Sequence, residues 1–131
     1  YCGVMAARFT RGFLIRATVN ICARAPTRIM PCKAGGPIRA LEQAMVAQSA
    51  GLGLYGGTLL EGTIGTAASL HAWSTLETLH WGTEMFGPLL MKDDIVVRPL
   101  NFHSNGVDLP QGPGLGVEID EDKLAVYRRD A

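Results

Sequence analysis

Apolar residues recur at helical spacing in two stretches of the chain, each followed by a short apolar run. From Pro37 onward, Ile38, Leu41 and Met45 stand at i, i+3 and i+7 before Gly51 breaks the pattern. Proline suits a first helical turn and glycine a stop, so the spacing predicts a helix of about 13 residues buried along that stripe. Leu52–Leu60 reads as a buried strand running into a glycine-rich turn. A second helix is predicted from Thr63 to Leu79, with Ile64, Ala67, Ala68, His71, Thr75 and Leu79 on one face and Glu77 on another. His80-Trp81-Gly82-Thr83 then reads as a short strand end. Helix, strand, helix and strand joined by short connections are the repeat of a parallel α/β sheet or barrel. Beyond Pro88 the texture changes. Asp94–Arg98 and Gly106–Pro110 read as strands around an Asn105-Gly106 turn signal, and Pro113–Gly116 as a loop. Asp120 is placed to cap a last helix through Tyr127, with Glu121 and Asp122 at its positive end and Arg128 and Arg129 at its negative end.

Residues 1–32 follow neither period. Phe13-Leu14-Ile15 and Val19-Asn20-Ile21 are at best short strands. Charge sets this part off further. The 131 residues carry 12 Lys and Arg against 12 Asp and Glu, but residues 1–41 hold a balance of +7 with no acid and residues 42–131 a balance of −7. The apolar content, 47%, argues against disorder, and the absence of a long apolar run argues against a membrane span. Zero net charge disfavours a nucleic-acid binder as a whole, although the first 41 residues alone would fit one. The Arg-rich, acid-poor start has the composition of a mitochondrial transit peptide, yet it lacks serine and draws no amphipathic helix. Cys2, Cys22 and Cys32 all lie in the same early segment. Three is an odd number, no CxxC spacing occurs, and the histidines are distant, so a reducing, cytoplasmic setting is expected and no metal motif is legible.

The candidate chemistry rests on two carboxylates. Glu61 is the one charged residue between Gln43 and Leu76, and it sits where strand gives way to helix, the edge on which α/β folds gather their sites. It reads equally as a cap for the Gly62-Thr63 helix start or as the partner of a neighbouring loop. Glu84 ends the next short strand, between Trp81 and Phe86 and with no basic residue until Lys92, so desolvation would suit it to donate a proton. Capping or packing is an equal reading from spacing alone. Gly51–Gly56 matches GxGxxG formally but follows a helix and opens a strand, the wrong context for a dinucleotide fingerprint. Gly56, Gly57 and Gly62 suit close backbone approach to an anionic small ligand, or tight packing at a barrel mouth. His71 reads as a packing histidine, and Glu118–Asp122 lacks the spacing of a calcium loop.

The string GLGLYGGTLLEGTIGTAASLHAW, then LHWGTEMFGPLL and PGLGVEIDEDKLA, resembles the C-terminal part of muconate and chloromuconate cycloisomerases of the enolase superfamily, from about Lys33 to Arg129. The resemblance implies a modified (β/α)7β barrel, present here in part. Residues 36–51 would be its sixth helix, 52–60 would surround its seventh strand, and 81–84 would form its eighth. Such enzymes use Mn²⁺ or Mg²⁺ to interconvert cis,cis-muconate and muconolactone in bacterial catechol breakdown, through an enolate-like intermediate. The resemblance implies a small dicarboxylate substrate, no nucleic-acid or membrane partner, and a homo-oligomer for the intact enzyme. It makes Glu84 the proton donor and Phe86 a pocket aromatic, puts Gly56, Gly57 and Thr58 on a substrate-facing loop, and gives Glu61 a supporting role.

The chain also departs from that pattern. The family's sixth strand ends in Lys-x-x-Lys-x-Gly-Gly; here Lys33 supplies the second lysine, and the first falls on Met30, which cannot handle a proton. The carboxylates that hold the metal belong to the third, fourth and fifth strands, and acid-free residues 1–32 cannot supply them. A whole barrel takes roughly 250 residues. The expectation is therefore a truncated copy, inactive as it stands, whose residues 1–32 are not family sequence and were translated out of frame, joined to a barrel segment at 33–131. Open parallel edges would make such a piece prone to aggregate. Rival readings are a dipeptide epimerase or succinylbenzoate synthase on the same barrel, against which WGTEMFGP argues, and a non-catalytic module that binds acidic partners through its basic arm.

Overall fold

The computed structural model describes residues 27–129. The early strands expected at 13–15 and 19–21, and most of the basic arm, lie outside the described residues. The elements are β1 (Thr27–Ile29), α1 (Pro31–Ala34), α2 (Pro37–Ser49), β2 (Leu54–Gly56), α3 (Thr63–Ser74), a 3₁₀ turn at Gly87–Leu90, a hairpin of β3 (Phe102–His103) and β4 (Gly106–Val107), and α4 (Glu121–Tyr127).

Strand β1 pairs in parallel with β2, Thr27 opposite Leu54, Arg28 opposite Tyr55 and Ile29 opposite Gly56. The far side of β2 carries a second parallel partner. Trp81 N donates to Leu54 O (3.1 Å), Gly56 N to Gly82 O (3.0 Å) and Glu84 N to Gly56 O (3.3 Å), with a bridge between Gly56 and Thr83. Three parallel strands with β2 central and a helix in each crossover are consecutive βα units, which agrees with the barrel segment expected from the sequence. The outer edges of β1 and of 81–84 have no strand partner among the described residues. β1 itself falls within residues 1–32, so the paired unit starts earlier than the expected boundary at 33.

One face of the strands is apolar. Ile29 and Leu54 pack with Ala40, Ala44, Ala47, Ala72, Trp73 and Met85. The helix at 37–49 forms as predicted, with its buried stripe corrected: Ala40, Ala44 and Ala47 face the strands, while Ile38 and Met45 are 69% and 56% exposed. Alanines let the helix axis approach the sheet closely, a fit that Ile38 and Met45 would prevent. The second helix stops at Ser74, short of Leu79. Ser74 Oγ and Thr75 Oγ1 donate back to the carbonyls of His71 and Ala72 (2.9 and 2.8 Å), and such hydroxyls compete with the next helical turn. Its buried face is also corrected, to Thr63, Thr66, Ala67, Ser69, Ala72 and Trp73, with Thr75 exposed. His71 Nε2 meets Leu115 O at 3.1 Å, as a packing histidine should.

The strand expected over 52–60 is regular only at Leu54–Gly56, because Gly57 leads into a loop in which Leu60 takes φ 63°. Of the strand expected at 94–98 only an antiparallel bridge forms, Val96 to Ile119. The hairpin expected there forms with its turn one residue earlier: Ser104 and Asn105 make the turn, and Gly106 opens β4 opposite His103, with Phe102 opposite Val107. The last helix forms as expected, with Asp120 Oδ1 accepting from Lys123 N at 3.1 Å. The N-terminus of α3 is capped from a distance: Gly62 has no side chain to offer, and Asp94 Oδ2 accepts from Thr63 N at 2.7 Å.

Candidate active site

The alternation that buries Ile29 and Leu54 turns Arg28 and Tyr55 to the opposite face of the strands, side by side in one row of the sheet. Glu84 stands at the C-terminal end of the third parallel segment and reaches the same face. Its carboxylate accepts from Tyr55 Oη at 3.0 Å and from Thr58 N at 3.4 Å, and pairs with Arg28 Nη2. Arg28 lies over the Tyr55 ring, 5.9 Å from its centroid, and also donates to Thr58 O at 3.4 Å. One residue from each of the two neighbouring strands and a loop amide thus converge on the carboxylate of the third, at the strand ends where α/β folds collect their chemistry.

The surroundings expected for Glu84 are corrected. Trp81 and Phe86 are 58% and 42% exposed, and they do not wall off the carboxyl. Its environment is polar, made by a guanidinium, a phenol and an amide. Arg28 and Tyr55 escaped the sequence reading because Arg28 belongs to the stretch set apart as foreign and Tyr55 to a run read as buried. The signal was the alternation Thr27-Arg28-Ile29 beside Leu54-Tyr55-Gly56, legible only once the register is known.

Glu61 takes a different place. It caps no helix; its carboxylate accepts from Leu59 N at 2.8 Å and from Thr58 Oγ1, folding the 58–61 loop onto itself. Glu61 therefore shapes the loop whose Thr58 amide points at Glu84. That loop packs closely on the segment after Glu84: a Cβ added to Gly87 would lie 2.2 Å from Glu61 O. Although Cys32 is exposed, local desolvation raises its thiol above the usual range, and the neighbouring Glu61 carboxylate pushes it the same way.

Gly56 and Gly57 are buried, and the space a side chain would take there is filled by the protein itself. A Cβ on Gly57 would meet Met30 Cγ at 2.6 Å and Arg28 Nε at 2.7 Å; one on Gly56 would meet Thr83 Cγ2 at 2.8 Å and Trp73 Nε1 at 2.9 Å. Of the two readings open for these glycines, tight packing is the one the contacts express. Lys33 is exposed on α1, and Met30 stands just beyond β1 where the lysine pattern begins. Among the described residues no three His, Cys, Asp or Glu side chains converge as a metal site would require. A divalent cation therefore does not fit this segment alone. A cleft of about 710 Å³ lined by Gln48, Leu52, Glu77, His80 and Trp81 opens at the opposite, N-terminal ends of the strands, away from Glu84.

Parallel strands with crossover helices and a carboxylate at their C-terminal ends are the arrangement of a segment of an α/β barrel. Residues 22–123 match the family described as enolase C-terminal domain-like, and the chain belongs to that family. The match starts eleven residues before the expected boundary at 33, in keeping with the pairing of β1. Muconate cycloisomerase 1 of Acinetobacter baylyi is 53% identical over 97 residues, covering 74% of this chain and 26% of the relative. Muconate cycloisomerase 1 of Pseudomonas putida is 50% identical over the same length and shares. The crystal structure of muconate lactonizing enzyme from Klebsiella pneumoniae superposes with a TM-score of 0.77 at 65% identity, over 81% of this chain and 30% of that one. The chain spans about a quarter of the length of the curated relatives it matches.

Proposed function

We propose that this chain is the C-terminal barrel segment of a muconate cycloisomerase, the isomerase that interconverts cis,cis-muconate and muconolactone, and that it is inactive without the rest of the barrel. The observation that carries the reading is the position of Glu84. It closes the third of three parallel strands, in a chain about half identical to muconate cycloisomerases, on the face where a barrel gathers its catalytic groups.

In this reading Glu84 is the acid of the reaction, and Phe86 lines the pocket for a small dicarboxylate. Thr58 is held by Glu61 so that its amide meets Glu84, and the close packing at Gly56 and Gly57 brings the strand ends together. Lys33 keeps a supporting role, and Met30 leaves its own position without a base. The Mn²⁺ or Mg²⁺ of the whole enzyme would be held by barrel strands outside this segment. A cytoplasmic, catabolic setting fits this reading, as does a homo-oligomeric whole enzyme. No helix among the described residues is long and apolar enough to cross a membrane.

Lactonisation of cis,cis-muconate in the presence of Mn²⁺ tests the proposal. The chain alone should show no turnover. Turnover should appear when the remaining barrel strands and capping domain of a relative are supplied as a separate polypeptide, and Glu84→Gln should abolish it. Failure to restore turnover with a soluble, assembled complex would refute the reading.

A further inference from the structure

Glu84 is met by a cation and by two further hydrogen-bond donors. A carboxylic acid that gives up a proton must hold one first, which an apolar pocket favours and a facing cation opposes. The structure places a cation there. Arg28 Nη2 pairs with Glu84 Oε1, Tyr55 Oη donates to Oε2 at 3.0 Å, and the Thr58 amide donates to Oε1 at 3.4 Å, so both oxygens already accept hydrogen bonds. Arg28 is itself held in place: it lies over the Tyr55 ring and donates to Thr58 O, and its Nε lies 2.7 Å from where a Cβ on Gly57 would sit. Of the other ionisable groups among the described residues, Glu61 meets the cluster through Thr58 Oγ1, and Cys32 adjoins Glu61 in turn.

We infer that Arg28 is a positioning residue that keeps Glu84 as a carboxylate, so that the group standing in the proton donor's place is in this chain a hydrogen-bond acceptor closed by an internal ion pair. The inference rests on the reading of Glu84 as the family's acid, but its test does not depend on turnover. It deepens that reading, because it supplies a further reason for inactivity beside the rest of the barrel and Met30: supplying those strands while Arg28 still grips Glu84 should restore less turnover than supplying them to Arg28→Met.

The test is the titration of the Glu84 carboxyl carbon, followed by carbon-13 NMR in the chain labelled at glutamate and assigned by Glu84→Gln. In Arg28→Met the midpoint should move to higher pH by about one pH unit, the low end of the range for losing a neighbouring cation because the pair is partly exposed. Arg28→Lys should recover most of the difference, as a role carried by charge requires. Raising salt on the unaltered chain should shift the midpoint in the same direction, which keeps the inference testable if Arg28→Met fails to fold. A midpoint unmoved by salt and by Arg28→Met, or one that Arg28→Lys fails to recover in a folded chain, would overturn it. Failure of the turnover test with a normal Glu84 shift would leave the ion pair standing and remove only the assignment of the reaction.

Discussion

Gly87→Ala gives a test in which the sign of the effect decides. Gly87 sits in a short 3₁₀ turn with no positive φ. At such a position an alanine should stabilise by about 0.4–1 kcal/mol, because it narrows the unfolded ensemble and fits the folded backbone. The tertiary structure reverses that expectation. The new methyl would lie 2.2 Å from Glu61 O, 2.8 Å from Leu60 C and 3.0 Å from Glu61 N, all backbone atoms, at a point where the loop already holds Leu60 at φ 63°. A carbon against an oxygen needs more than 3 Å, so the two segments must part by roughly 1 Å, and overpacking of this kind costs about 1–3 kcal/mol. Urea unfolding should show a lower midpoint with an unchanged slope, and amide exchange should quicken at Thr58 and Leu59, whose positions depend on the loop staying docked. An unchanged or raised midpoint would mean that the 58–61 loop does not pack on the segment after Glu84, and the placement of the Thr58 amide would fall with it.

Two further outcomes follow from the electrostatics. Glu61→Gln should speed alkylation of Cys32 at neutral pH, because the carboxylate that helps hold the thiol protonated is gone; equal rates would show that burial alone sets the thiol. Asp93 anchors α4 by accepting from Lys123 Nζ at 2.7 Å and from Tyr127 Oη at 3.1 Å, and the lysine holds its carboxyl below the ordinary aspartate range. The stabilisation is thus present above that range and lost as pH falls through the lowered value, so amide protection in α4 should decline on acidification, and Asp93→Asn should remove that dependence.

The segment's architecture was legible because it rests on local signals. Pro37 and Gly51 bracket a helix, the Asn105-Gly106 signal marks a hairpin to within one residue, Asp120 caps α4, and short connections between helix and strand imply a parallel sheet. The motif around Glu84 carried the family. The faces were less legible. In α2 both Ile38/Leu41/Met45 and Ala40/Ala44/Ala47 have helical spacing, and hydrophobicity points to the larger residues, whereas close helix-to-sheet packing selects the alanines. The α3 helix stops early because its serine and threonine hydroxyls turn back on the backbone, an outcome that apolar periodicity does not register.

The sequence by itself determined the helices α2 and α4, the strand at Leu54–Gly56, the order of these elements, and that Glu84 ends the segment after α3, since these follow from residue type and spacing over a few positions. Tertiary structure alone decided what each carboxylate meets. Arg28 and Glu84 are 56 positions apart, and only the parallel register of β1 on β2, with Trp81–Glu84 on its other side, puts them across one face. Long-range pairing sets that register, and through it Glu84, read along the chain as an acid between two aromatics, becomes a carboxylate held by an arginine, a tyrosine and a loop amide.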